Sequence, residues 1–215
     1  MNDKFVMSFS GGKDSMLALH RMIKNGNTPV ALLTTVKKNQ DSSWTHGINN
    51  NFLNKVSESL GIELITVECE VEEYEKEFEK KLLEAKQKGA NVCVYGDIDI
   101  EHHKQWGVDR CNVSNMKAEF PLWQEDREKL VYEFIDSGYK ATIKKVNLDN
   151  LGEQFLGKVL TKELIEEIKA TGSDACGENG EYHTFVSDGP LFKNPIQFKI
   201  DKITLDKNYG HLDII

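Results

Sequence analysis

The 215-residue chain is 39% hydrophobic and 29% charged, with a formal net charge of -8, which allows an ordinary core under a very polar surface. The negative balance speaks against a general nucleic-acid-binding protein, whose affinity comes from Lys and Arg on phosphates, although a local patch such as Lys140, Lys144 and Lys145 is compatible with it. No apolar run approaches the ~20 residues of a membrane span and no signal peptide is read. Cys69, Cys93, Cys111 and Cys176 form no CxxC, so neither zinc nor a disulfide framework is expected and a reducing cytoplasm is the expected location.

In chain order, Phe5–Phe9 reads as a short buried strand and Asp14–Asn25 as a helix, with Met16, Leu19, Met22 and Ile23 on one side and Gly26 as its stop. Pro29–Val36 is a second buried strand by its continuous apolar character. Lys37–Gly47 is a polar loop holding Trp44 and His46. A helix over Ile48–Leu60, a strand over Ile62–Val67, a charged helix over Glu72–Lys88 and a strand over Asn91–Tyr95 follow. Residues 101–117 are ambiguous because Gly107 interrupts a helical pattern. "AEFPLW" reads as a short strand ending at Pro121, and Glu125–Asp136 as a helix.

This alternation predicts an α/β fold, a doubly wound parallel sheet of about five strands with helices on both faces. Right-handed crossovers put the C-terminal ends of the strands on one edge, where ligands bind. Ser10–Lys13 and Gly96–Asp97 both fall there. After residue 138 the pattern changes: a strand at Lys140–Val146, a helix at Thr161–Thr171 with Thr161 as cap, a "GSDACGENG" loop, then strands in "EYHTFVSDGPLF" and Ile196–Leu205. The division predicted is 1–124 for the first domain and 125–215 for a smaller α+β domain packed directly on it.

"SGGKDS" between the first strand and first helix is built to hold phosphate. Gly11 and Gly12 permit positive φ and bring backbone N–H groups to an anion. The helix start adds its partial charge, Ser10 and Ser15 offer hydroxyls, and Lys13 a full positive charge. The spacing is neither that of a Walker A loop nor that of a dinucleotide fingerprint. On the sheet edge, Lys13 is expected at the surface.

"SFSGGKDS" resembles the pyrophosphate loop of the N-type ATP pyrophosphatases, which split ATP between the α and β phosphates and place AMP on a substrate oxygen. The resemblance implies that Ser10, Gly11, Gly12, Lys13, Asp14 and Ser15 cradle pyrophosphate and that Leu33–Thr35, with Thr34 and Thr35, lies beside the adenine. Preorganised donors stabilise charge as it builds on the leaving pyrophosphate. Lys13 supplies a catalytic point charge, and Mg2+ needs one or two carboxylates beside the phosphates. Asp97 in "YGDID" and Asp14 are the candidates, with a helix N-cap as the other reading of Asp97.

The second signature is "CGENGEYHTFVSDGPLF", Cys176–Phe192. Its acids, Glu178 and Glu181, sit with Asn179 and His183 on a Gly-rich turn. They suit an amine substrate or base catalysis, or form only a polar turn opening a strand. This segment, with "FSGGKDS", "GDI", "PLW" at Pro121–Trp123 and "LG" at Leu156–Gly157, resembles the diphthine–ammonia ligase family over nearly the whole chain. The resemblance implies an ATP-dependent amide ligase: adenylation of a carboxylate, release of pyrophosphate, then displacement of AMP by ammonia. Lys13, Glu178 and Glu181 are then catalytic, and His46, Asn179 and His183 face the substrate, His46 being otherwise an exposed loop residue.

The chain departs from the diphthamide-type pattern at Asn179, at His183 and in "HKQWGV", His103–Val108. It is closer there to a bacterial "ENGEYH" branch, which implies the same chemistry on a small metabolite, such as one of cobalamin salvage, in place of modified elongation factor. His102 and His103 are too few ligands for a metal site. A tRNA-thiolation enzyme and a non-catalytic ATP-binding sensor share the loop. The first needs a persulfide cysteine, and the second has little use for Lys13, Asp97 and the C-terminal cluster together. ATP, ammonia and an acyl substrate are the expected partners, with no membrane or nucleic acid and with a homo-oligomer open.

Overall fold

A computed structural model describes residues 2–38 and 42–215. Five strands, β1 (Lys4–Ser8), β2 (Thr28–Lys37), β3 (Glu63–Cys69), β4 (Val92–Val94) and β5 (Lys117–Glu119), form one parallel sheet in the order β3-β2-β1-β4-β5. Helices α1 (Lys13–Lys24), α2 (Asn50–Leu60), α3 (Tyr74–Gln87) and α4 (Glu101–Val113) are its crossovers. Successive residues of a strand point to opposite faces, and β1 shows the consequence. Phe5 and Met7 join Met16, Leu19, Phe52 and Val56 of α1 and α2 on one face, while Val6 joins Phe78, Leu82 and Cys111 of α3 and α4 on the other. The expected doubly wound sheet is therefore present.

The order of strands reverses between β1 and β4, so the crevice between their carboxyl ends is the ligand edge. Gly96, just after β4, closes the crevice from below. A Cβ there would stand 2.8 Å from the Ser15 nitrogen and 2.9 Å from the Asp14 carbonyl carbon. Only glycine lets the two backbones approach so closely.

Residues 101–117, ambiguous in sequence, contain a regular helix, α4. Gly107 belongs inside it because a Cβ would come 3.1 Å from the Tyr95 ring and 3.2 Å from the Phe120 ring, two side chains that stack on one another. Strand β5 ends at Glu119, short of Pro121. The polar loop expected at 37–47 includes Asn39, Gln40 and Asp41, which lie outside the described residues.

The C-terminal part holds α5 (Arg127–Asp136), β6 (Lys140–Asn147), α6 (Lys162–Ala170), β7 (Tyr182–Asp188), β8 (Ile200–Leu205) and β9 (Tyr209–Ile214). The caps are sequence-encoded: Asp126 accepts from the Lys129 N–H and Thr161 from the Leu164 N–H. The four strands form an antiparallel sheet in the order β7-β6-β9-β8. Strand β9 has no counterpart in the sequence reading, and β8 begins at Ile200 instead of Ile196. This small sheet packs on the α1–α2 side of the first: Ile143, Tyr182, Phe185 and Leu212 share one apolar cluster with Phe5 and Phe52, and the Phe52 and Phe185 rings meet edge to face at 5.7 Å.

Gly96→Ala is expected to lower the unfolding free energy by about 1–3 kcal/mol, as overpacking does, because backbone atoms meet the new methyl. Urea denaturation reads this. An unchanged midpoint would mean that β4 and α1 are not locked at this point.

Candidate active site

A cleft of about 830 Å³ opens at the carboxyl ends of β1, β2 and β4. One wall is the loop Ser8–Asp14, and the opposite wall is Gly177–Thr184 of the C-terminal part. The joint between them is direct. The Val186 N–H donates to the Gly11 carbonyl at 3.0 Å. The Lys13 N–H donates to Thr184 Oγ1 at 3.0 Å, and His46 Nδ1–H donates to the Thr184 carbonyl at 2.8 Å.

The phosphate loop is organised from within. Ser10 Oγ accepts the Gly12 N–H at 3.2 Å and lies 3.1 Å from Ser15 Oγ, which donates to the Gly12 carbonyl at 3.0 Å. Gly11 takes φ +81°, as the sequence suggested. Gly12 does not, with φ -91°. It is glycine because a Cβ would fall 2.3 Å from the His46 ring. Neither glycine lines the cleft, whereas Ser10, Lys13, Asp14 and Ser15 do.

Lys13 overturns the surface expectation. It is 4% exposed, because β7 crosses over the loop that a lone parallel sheet would leave open. Its ammonium lies 2.8 Å from Asp14 Oδ2 and 5.3 Å from the Tyr182 ring centroid. Burial opposes its charge, but Asp14 together with Cys176 and Tyr182 outweighs burial, and the pKa stands well above the ordinary lysine value. The charge is therefore fixed at the base of the cleft. Asp14 also accepts the Cys176 thiol at 3.5 Å, and burial pushes that thiol well up.

Glu178 faces the same space. Burial raises its carboxyl to about 7, with Asp14 and Asp97 adding to the rise and Lys13 and Arg127 opposing it. Asp97 lines the cleft with its Oδ1 3.4 Å from His103 Nδ1. It does not cap α4, whose N-cap residue is Ile100, so the capping alternative falls. Among the described residues no group of three or more His, Cys, Asp or Glu is arranged to hold a metal by itself.

Glu181 sits elsewhere. It is 4% exposed and is turned into its own loop. Its carboxylate accepts the Asp174 N–H at 3.2 Å, the Asn179 N–H at 3.0 Å and the Asn179 side-chain amide at 3.0 Å. It does not line the cleft, while Asn179 and His183 do. His46 also lines it and is not the exposed loop residue of the alternative reading: burial holds it at about 4. Its ring centroid is 4.9 Å from that of His183, which burial and then His46 hold at about 2. Both imidazoles are neutral at pH 7. With Nδ1–H given to Thr184, Nε2 of His46 is an acceptor.

Thr34 and Thr35 line the cleft at the end of β2, and Thr34 Oγ1 donates to the Phe9 carbonyl at 2.7 Å. Beside them stands an aromatic wall the sequence did not announce. Trp44 stacks on Tyr74 at 5.2 Å, and Tyr74 on Trp106 at 5.0 Å. The buried Trp44 Nε1–H has no hydrogen-bond partner among the described residues. Arg127 was also missed. It grips Asp99 at 2.6 Å, Asp174 at 2.9 Å and Asn179 at 3.1 Å, strapping the "GDID" turn to the 174–181 loop. Its partners are far away in sequence, so no local pattern marks it.

The Glu178 carboxyl near 7 has a thermodynamic consequence. Unfolded, it returns to 4.5. Between those values the folded chain binds more protons, so this contribution is full below pH 4.5 and is lost as pH rises through 7. Glu178→Gln is therefore expected to flatten the fall. At pH 8 it should be more stable than wild type by on the order of 1 kcal/mol, read by urea denaturation at pH 5 and pH 8. Parallel pH profiles for the two proteins would contradict the assignment.

The diphthamide synthase N-terminal domain family matches residues 3–118 and the diphthamide synthase C-terminal domain family residues 126–215. A diphthine–ammonia ligase of Mus musculus is 32% identical over 213 residues, covering 87% of this chain and 79% of that protein. One of Homo sapiens is 31% identical with the same coverage. A solved structure of a predicted subunit of tRNA methyltransferase from Methanocaldococcus jannaschii is similar with a TM-score of 0.47 and 16% identity, over 88% of this chain and 98% of that one. No described helix is long and apolar enough to cross a membrane. The phosphate-type loop and the Gly-rich acidic loop that meet in one cleft thus fall in the two matched halves, and the chain belongs to the diphthine–ammonia ligase family.

Proposed function

We propose that the protein is an ATP-dependent carbon–nitrogen ligase that adenylates a substrate carboxylate, releases pyrophosphate and lets ammonia displace AMP. The observation that carries this reading is the pairing of a fixed cation, Lys13, with an acid poised at about 7, Glu178, in one cleft. The two steps need opposite things. Departure of pyrophosphate needs positive charge and oriented donors; attack by ammonia needs a group that takes a proton near neutral pH.

In this reading residues 1–124 hold ATP and residues 125–215 the acyl side. The pyrophosphate lies on the α1 N-terminus among Ser10, Lys13 and Ser15, and the adenine beside Thr34, Thr35 and the aromatic wall. A carboxylate oxygen attacks the α-phosphorus, and the bond to pyrophosphate breaks. Ammonia then attacks the acyl carbon, Glu178 takes a proton from the nitrogen, and AMP leaves with the oxygen. Glu181 acts as a positioning residue, holding the loop that presents Glu178 and Asn179. The neutral His46 and His183 flank the acyl group as acceptors and apolar edges.

Asp97 and Asp14 fit Mg2+. Both carboxylates line the cleft and both act on Glu178, and one or two carboxylates with phosphate oxygens suffice for this ion. When bound, the ion offsets charge on the phosphates. The thiolation alternative is disfavoured by Cys176, which is fully buried with its thiol held protonated.

The test is exchange of labelled pyrophosphate into ATP, with a panel of carboxylates. Exchange that needs a carboxylate supports adenylation; none with any carboxylate, while ATP binds, would contradict it. Lys13→Met, whose stem still packs on Tyr182, is expected to lower exchange about 100-fold or more. Asp97→Asn is expected to raise the Mg2+ needed for half-maximal rate roughly tenfold with little change in the ATP requirement, and an unchanged Mg2+ curve would remove Asp97 from the metal.

A further inference from the structure

A second cleft, of about 570 Å³, lies across the 42–49 loop from the first. Ser43, Trp44 and Thr45 line both. Strand register connects the two clefts a second way. His183 on β7 stands opposite Lys145 on β6, Lys145 opposite His211 on β9, and His211 opposite Thr204 on β8. Directly opposed residues of antiparallel strands share a face about 5 Å apart at Cβ, so these four side chains form one row roughly 15 Å long across the whole sheet. The row starts in the first cleft at His183 and continues into the second, which Lys145, His211 and Thr204 line.

None of the four row residues is an acid, although Asp206 Oδ2 stands 3.3 Å from His211 Nε2 at the edge of the row. Lys145 Nζ lies over the Tyr209 ring at 4.2 Å and makes no ion pair among the described residues. Lys144 reaches the same cleft from within the sheet. It is 5% exposed, and among the described residues its ammonium donates only to the Leu212 carbonyl, at 2.8 Å. Lys37 and Lys202 line the rim, and of the two aspartates there, Asp213 faces Lys202 at 3.8 Å. Four lysines thus stand against two aspartates. Burial lowers the pKa of both Lys144 and Lys145, and the carboxylates that oppose the fall, Asp213 for Lys144 and Asp206 for Lys145, only partly offset it.

We propose that the second cleft binds an oxyanion tail of the acyl substrate, a phosphate or a further carboxylate, while the reacting carboxylate lies in the first cleft near Glu178 and His183. The link to an acyl substrate rests on the adenylating-ligase reading; the oxyanion site itself does not. An oxyanion supplies the direct ion pair that Lys145 does not make among the described residues. A cationic tail meets an excess of like charge and is turned away. The substrate is then a long molecule with an acidic group at each end, laid along the His183–Thr204 row.

The test uses the full chain saturated with α,β-methylene ATP, which fills the first cleft. Inorganic phosphate, citrate and choline are titrated in by calorimetry. Wild type is expected to bind phosphate or citrate at one site, more weakly as salt is added, and to give no heat with choline. The tighter of the two anions names the tail as phosphate or carboxylate. Affinity is expected to fall at least tenfold in Lys145→Gln and in Thr204→Glu. Thr204 is on an exposed strand, so that variant reports on the cleft even if Lys145→Gln does not fold. No oxyanion binding by wild type, equal binding by wild type and the folded variants, or binding of choline overturns the proposal. Affinity for the analogue is measured separately. Normal analogue affinity with no oxyanion site sinks this inference alone. Loss of analogue binding sinks the first-cleft reading, and the variants' effect on oxyanion binding still decides the second cleft.

Discussion

The passage of β7 over the phosphate loop is the contact on which the site depends. Two backbone groups of the loop, the Gly11 carbonyl and the Lys13 N–H, find their partners on β7, at Val186 and Thr184. Without the strand, both would need water, and a buried polar group left unpaired costs about 1–3 kcal/mol. The same crossing buries Lys13 against Tyr182 and brings the Gly177–Thr184 segment to the cleft. The C-terminal sheet is thus a wall of the site that opens between β1 and β4.

Charge balance inside the cleft follows from that closure. Asp14, Asp97 and Glu178 share a space in which Lys13 is the deeply buried cation, and Lys13 is already committed to Asp14. Burial is what chiefly raises the Glu178 carboxyl to about 7, and the negative charges of Asp14 and Asp97 add to the rise. Arg127, which straps Asp99 to the 174–181 loop, opposes the rise by its own positive charge. An acid raised in this way, first by burial and then by its neighbours, suits the proposed amide-forming step, where its proton is exchanged near neutral pH.

Much of this was legible in sequence. The apolar runs of β1 and β2, the Gly26 stop and the Thr161 cap are local signals, and local physics places them. The parallel sheet and its ligand edge follow from the alternation and from handedness, whereas the order of the strands does not. What was not legible depended on partners distant in sequence. Gly107 read as a helix breaker because its reason, the Tyr95 and Phe120 rings, is supplied by other elements. Strand β9 is short and half polar, and it exists because β6 and β8 pair with it. Lys13 read as exposed because nothing in "SGGKDS" reveals that a strand over 170 residues later covers it. Glu178 and Glu181 looked equivalent; a shift of three residues along one tight loop turns one carboxylate to the cleft and the other to backbone N–H groups.

The central claim is that the phosphate-type loop and the C-terminal acidic loop form a single site. Hydrogen exchange with and without α,β-methylene ATP tests it most directly, since it reads both walls at once and needs no knowledge of the acyl substrate. The account predicts slowed exchange on binding both at residues 9–16 and at residues 177–184. Protection confined to the first segment, with the second exchanging as in the free protein, would contradict it.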